Sequence, residues 1–219
     1  MMPAAFSPAS LQFLAENARN NSREWFRSNR AVYEASLLKP FQQLVKELTP
    51  PMQYMDGGLE GTISRIHRDT RFSHDKSLYR DRMWLAFMRR GGNKTEFPGF
   101  FLEINPSFYR YGMGFFRASP QTMAQYRLKI DQDEAAFLDL VSALSETGAL
   151  PEGEIYKRNR YTGGVKEIAG WYNRKNIYLT HNRADVGELF EFDPLLQRLL
   201  GAFDELEGFY RFFRDAVMR

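Results

Sequence analysis

RMWLAFMRRGGNKTEFPGFFLEINPSFYRYGMGFF, residues 82–116, consists of short aromatic and aliphatic runs separated by turn residues. Arg82 to Met88, Gly99 to Asn105 and Phe108 to Phe116 read as strands, with Gly91-Gly92 and Asn105-Pro106 between them. Gly61 to Ile66, just after Gly57-Gly58, has the same character. Consecutive short strands with turn signals between them predict an antiparallel meander. Alternation is imperfect in Phe100 to Ile104, which predicts a strand partly covered on both faces by helices.

Working outward, the flanks carry helical periodicity. Ser7-Pro8 ahead of Leu11, Phe13 and Leu14 places a cap and a proline at a helix start, with the helix running to about Asn17. Asn21 to Glu24 offers a second cap, and apolar residues from Trp25 to Leu48 follow at mostly helical spacing. Pro40 predicts a kink or two successive helices, and Thr49-Pro50-Pro51 predicts the end. Downstream, Ser119-Pro120 and Asp133 open two more helices, the second closed by Gly148. Ile177 to Leu179 is a further strand candidate, Asp193-Pro194 starts a helix, and Phe209 to Val217 is amphipathic. The resulting expectation is an α+β fold, with a mainly antiparallel central sheet flanked by N- and C-terminal helices, in one domain over residues 1–219.

A chain of 219 residues that is 43% hydrophobic can bury a sizeable core. The absence of Cys excludes disulfides, thiolate metal sites and Cys nucleophiles, and makes a cytoplasmic protein the expectation. No targeting or membrane segment stands out in the sequence. Residues 1–112 hold 16 Lys/Arg against 11 Asp/Glu, while residues 113–219 hold 14 against 16. So mild an excess, concentrated in the first half, favours a local anion pocket over a nucleic-acid track.

That excess centres on SRIHRDTRFSHDKSLYRDR, residues 64–82, which packs six Arg/Lys, three Asp and two of the three histidines into nineteen positions. Arginines so close repel one another unless carboxylates, an anion or water compensate them. Arg65, Arg68, Arg71, Lys76 and Arg80 are therefore candidate ligand-binding residues for a phosphate- or carboxylate-bearing small molecule. Asp69 and Asp75 are candidate bases or orienting groups. The alternative is a non-catalytic binding or scaffold domain, in which the same residues form a structural ion-pair network bracing the segment against the Trp25 helix.

The motif Arg65-x-x-Arg68-Asp69-x-Arg71-Phe72-Ser73-x-Asp75-Lys76-x-x-Tyr79-Arg80 resembles the signature of a family catalogued as a domain of unknown function, number 2461. Phe13-Leu14, Asn20-Asn21, Arg23 to Phe26, Tyr33-Glu34, Pro40-Phe41, Gly112-x-Gly114 and Tyr126-Arg127-x-x-Ile130 are similar too. The resemblance implies one α+β domain and brings no activity with it. The chain departs from the family pattern at His67, where Tyr is expected, at His74, where Lys is expected, and at Leu78, where Pro is expected. Any catalytic role for His67 or His74 would thus be private to this protein.

Other constellations are less specific. His67, Asp69, His74 and Asp75 are ligand types for Zn or Mn, but the surrounding arginines would repel a divalent cation and no paired-ligand spacing occurs, so neither metal nor cofactor is expected. His67 and Asp69 sit two apart, as a base and its orienting carboxylate would on a strand. Gly112 to Phe116 lacks both nucleotide-loop signatures, so a closely packed strand or bulge is the simpler reading. Tyr156 to Gly164 and Trp171 to Lys175 interleave aromatics with cations, which could serve a base or a single strand, or could equally cover the sheet edge.

Overall fold

A computed structural model describes residues 5–69, 71, 74–92 and 96–218. The N-terminal helices are α1 (Pro8–Asn20), α2 (Arg23–Ser28), α3 (Arg30–Tyr33) and α4 (Lys39–Met55), the last preceded by a π-helical turn, Glu34–Leu38. Ser22 caps α2, its Oγ accepting the Trp25 N–H at 3.0 Å. Where Pro40 predicted a kink or two successive helices, the structure has this π turn leading into α4. With no N–H, Pro40 cannot bond the Ser36 carbonyl four residues back, and the Lys39 N–H reaches Glu34 instead. The Ser36 carbonyl is satisfied by the Ser10 hydroxyl of α1 at 2.6 Å.

One expectation is corrected here. α4 does not stop at Thr49-Pro50-Pro51 but continues to Met55. The two prolines withhold bonds from the Lys46 and Glu47 carbonyls, but Lys46, Glu47, Pro50 and Pro51 all face solvent, where water serves those oxygens. Leu48 and Met52, both buried, hold the helix on the core across the interruption.

The meander follows as β1 (Leu59–Ile63), β2 (Met83–Arg89), β3 (Gly99–Ile104) and β4 (Tyr109–Gly114). After α5 (Pro120–Gln132) and α6 (Glu134–Ser145), the chain adds β5 (Leu150–Glu152), α7 (Lys166–Tyr172) and β6 (Tyr178–Arg183). It ends with α8 (Phe192–Glu205) and α9 (Glu207–Val217). The strands form one antiparallel sheet in the order β1-β2-β3-β4-β6-β5. This is the expected α+β class, with β1 beginning two residues early and ending at Ile63 rather than Ile66.

Alternation divides the sheet into two faces. Met83, Leu85 and Phe87 of β2, Phe100, Leu102 and Ile104 of β3, and Tyr109, Tyr111 and Met113 of β4 are completely buried. Phe203 of α8 and Tyr210 of α9 close on Phe100, with ring centroids 5.1 and 5.0 Å away. The intervening residues Trp84, Ala86, Met88, Phe101, Glu103 and Arg110 are half-buried on the opposite face. Gly112 and Gly114, at φ +154° and +156°, let β4 close on β6; a Cβ at Gly112 would sit 1.9 Å from the Leu179 carbonyl oxygen. The glycine pair is thus a close-packed strand feature.

Candidate functional site: an arginine arm over an open sheet face

The described residues between Ser64 and Arg82 form an arm that extends the β1–β2 hairpin beyond the sheet. The Ser64 N–H donates to the Trp84 carbonyl, Arg80 N–H to Ile66 and Arg68 N–H to Leu78, and His67 bridges to Tyr79. The arm is held from below by aromatics. Phe26 of α2 stacks on Tyr79, His67 lies beside both rings, and Asn21 Oδ1 accepts the Leu78 N–H.

Beside the arm the half-buried sheet face forms a cleft of about 360 Å³. Arg68, Arg80, Asp81 and Arg82 supply one wall, and Trp84, Phe101, Glu103 and Arg110 contribute from β2, β3 and β4. Phe116 and Tyr178 line it as well. The alternate residues Arg80, Arg82, Trp84, Ala86 and Met88 all line the cleft, because strand period carries on from β2 into the arm. This spacing is legible in the sequence and identifies Arg82 and Trp84 as cleft-lining residues, which charge density alone does not.

The arginines differ in how they are compensated. Arg68 pairs with Asp75 at 2.8 Å, Arg71 with Asp69 at 2.7 Å and Arg82 with Asp81 at 2.9 Å. Arg80 has no carboxylate partner among the described residues, and its Nε is buried without a hydrogen bond. Its guanidinium lies 4.9 Å from the Trp84 ring centroid. Burial, followed by the charges of Arg68 and Arg82, pushes its pKa below the usual arginine value. Across the cleft the Glu103 carboxylate, 13% exposed, accepts from Arg110 Nε at 3.0 Å, and Arg110 also reaches Glu152 at 3.6 Å.

Of the predicted ligand-binding set, Arg68 and Arg80 line the cleft, while Arg65, Arg71 and Lys76 are exposed outside its lining. Asp69 and Asp75 are also outside it. The Arg71 side chain and backbone N–H hold the Asp69 carboxyl down at about 2, and Ser77 holds Asp75 below its usual value. Neither carries the raised pKa of a general base poised near neutrality. His67 and His74 are exposed, and the described residues contain no group of three or more potential His, Cys, Asp or Glu ligands. Thr70, Phe72 and Ser73 of the motif lie outside the described residues.

The sequence profile of a family described as a conserved hypothetical protein, DUF2461, matches residues 9–212. The chain belongs to this family. No curated protein matches it. The DUF2461 match spans the arm and every residue of the cleft. The aromatic and basic stretch at 156–175 lies within the same match but away from the cleft. Trp171 stacks on Phe209 with centroids 5.3 Å apart, Tyr161 is buried and donates its hydroxyl to Glu134, and Tyr156 is covered by Arg160 at 3.7 Å. These rings thus pack against the protein's own core and cations.

Among the described residues no helix is long and apolar enough to cross a membrane.

Proposed function

We propose that the protein binds an organic anion, bearing phosphate or carboxylate, in the cleft between the arginine arm and the half-buried sheet face. Arg80 carries the reading. Among the described residues its buried Nε has no partner, and its charge lies near those of Arg68 and Arg82 with no carboxylate paired to it. An unmade bond at such a group costs about 1–3 kcal/mol, and an oxyanion among the three guanidiniums would offset their repulsion and draw the Arg80 head toward an acceptor. Four arginines line the cleft against two carboxylates, Asp81 and Glu103. Both carboxylates are already engaged by arginine, Asp81 with Arg82 and Glu103 with Arg110, so the arrangement favours binding over acid–base chemistry.

A thermal-shift and calorimetric screen with inorganic phosphate, citrate, sugar phosphates and nucleoside monophosphates tests the reading. A ligand at a hundred times its dissociation constant adds about 2.7 kcal/mol of stability. Arg80→Gln should abolish the response and Arg71→Gln should preserve it. A flat response across the panel, or an unchanged response in Arg80→Gln, overturns the proposal in favour of a scaffold domain.

A further inference from the structure

The arginines of the cleft account for an anion but leave its aromatic surface without a purpose. Phe116 is 57% exposed, although its position is fixed: the Tyr178 hydroxyl donates to its carbonyl at 3.1 Å, and that hydroxyl accepts from Asn176. Its ring centroid lies 6.5 Å from that of Trp84, with the planes 28° apart. A flat ring needs about 3.5 Å on each face, so a small rotation of the exposed Phe116 side chain admits one between the two. Trp84 in turn carries the Arg80 guanidinium over its ring, 4.9 Å from the centroid, so the cation and the indole belong to one surface of the cleft.

The edge of such a ring would meet a matched pair of polar groups. Trp84 is paired across the sheet with Glu103, and Glu103 with Arg110. Acceptor and donor therefore stand side by side next to the indole, held to each other at 3.0 Å. Sugar phosphates present no flat edge to read in this way, whereas nucleobases carry both donors and acceptors on theirs.

We propose, resting on the anion-binding reading above, that the ligand is a nucleoside monophosphate by class. Its base packs between Trp84 and Phe116 with its edge toward Glu103 and Arg110, and its phosphate meets Arg80, Arg68 and Arg82. The cleft, about 360 Å³, suits one small molecule. A strand of nucleic acid would need a continuing row of stacking platforms, but Trp171, Tyr161 and Tyr156 are turned onto the protein's own core and cations.

The test uses the full chain and compares AMP, GMP, CMP and UMP with ribose 5-phosphate, inorganic phosphate and oligo(dT), by calorimetry and tryptophan emission. At least one mononucleotide should bind about tenfold or more tighter than ribose 5-phosphate, since base stacking is worth that much. It should quench emission that Trp84→Phe removes. Phe116→Ala, at an exposed position that the fold does not depend on, should lose about tenfold for the mononucleotide and leave ribose 5-phosphate unchanged. Equal affinity for ribose 5-phosphate and every mononucleotide overturns the base assignment while leaving the anion reading intact. Silence from every anion overturns both. Salt-dependent binding of oligo(dT) tighter than that of any mononucleotide overturns the small-molecule assignment.

Discussion

The Phe26 ring lies against the Tyr79 ring with centroids 4.9 Å apart and planes 18° from parallel, so an aromatic stack joins the arginine arm to α2. The carboxylates that pair with Arg71 and Arg68, Asp69 and Asp75, are both more than half exposed. Phe26→Ala removes the stack and the edge contact to His67. For a half-buried aromatic the expected loss is about 2 kcal/mol in a urea titration. Because Arg80 follows Tyr79 directly, the same variant should weaken anion binding. Unchanged stability would show that the arm is held elsewhere.

Arg71 and Asp69 form an ion pair of 2.7 Å in the motif, and both side chains are more than half exposed. Water and salt screen such a pair, so its geometry brings little stability. Arg71→Ala is expected to leave both the melting temperature and the affinity for any cleft ligand unchanged. A clear drop in either would move the binding site outward onto the arm's surface.

The meander could be read from the sequence because its signals are local: aromatic runs that fit a pleated surface, separated by Gly91-Gly92 and Asn105-Pro106. α4 beyond Pro50 could not, because the buried contacts of Leu48 and Met52 override a propensity that is itself local. β5 could not either: three residues with Pro151 at their centre resemble a loop until β6 pairs with them. For the candidate site, charge density pointed to the arm beside the cleft but could not say which way each side chain faces. Arg68 and Arg80 turn to the cleft, while Arg65, Arg71 and Lys76 lie outside its lining. Glu103 and Arg110, seven residues apart, become neighbours only through the register across the Asn105-Pro106 turn.

Asp56, at the end of α4, gathers a second group of charges on the helical side. Its side chain is 8% exposed and reaches Arg89 at 3.0 Å, Arg214 at 3.4 Å and the Tyr210 hydroxyl at 2.9 Å, while accepting the Gly58 N–H at 2.8 Å. Burial raises its pKa, but the Gly58 and Tyr210 bonds and the two arginines outweigh it, and the carboxyl ends below its usual value. Asp56→Ala takes the carboxylate from the partly buried Arg89, leaves Arg214 with Asp215 alone and removes the acceptor of the Tyr210 hydroxyl, loosening β2 from α9 at an expected cost of about 3 kcal/mol by urea denaturation. Asp56→Asn keeps part of the bonding and should cost less.

His181 sets the pH response. It is 6% exposed and stacks on Tyr111 with centroids 4.8 Å apart and planes 15° from parallel; its Nε2 has no partner among the described residues. Burial first, then the charges of Arg183 and Arg198, hold its pKa down to about 4, against 6.5 in the unfolded chain. Above pH 6.5 both states are neutral and His181 contributes no slope. Between 6.5 and 4 the unfolded chain takes up a proton that the folded one refuses, so stability falls as the pH falls. Asp56 and Glu188, whose folded pKa values are lowered, add their losses below about pH 4.5, outside most of this window. His181→Phe keeps a ring against Tyr111 and removes the titration. Urea midpoints measured from pH 7 to 4.5 should decline in the native protein and run nearly flat in the variant; parallel declines would place the titrating group elsewhere.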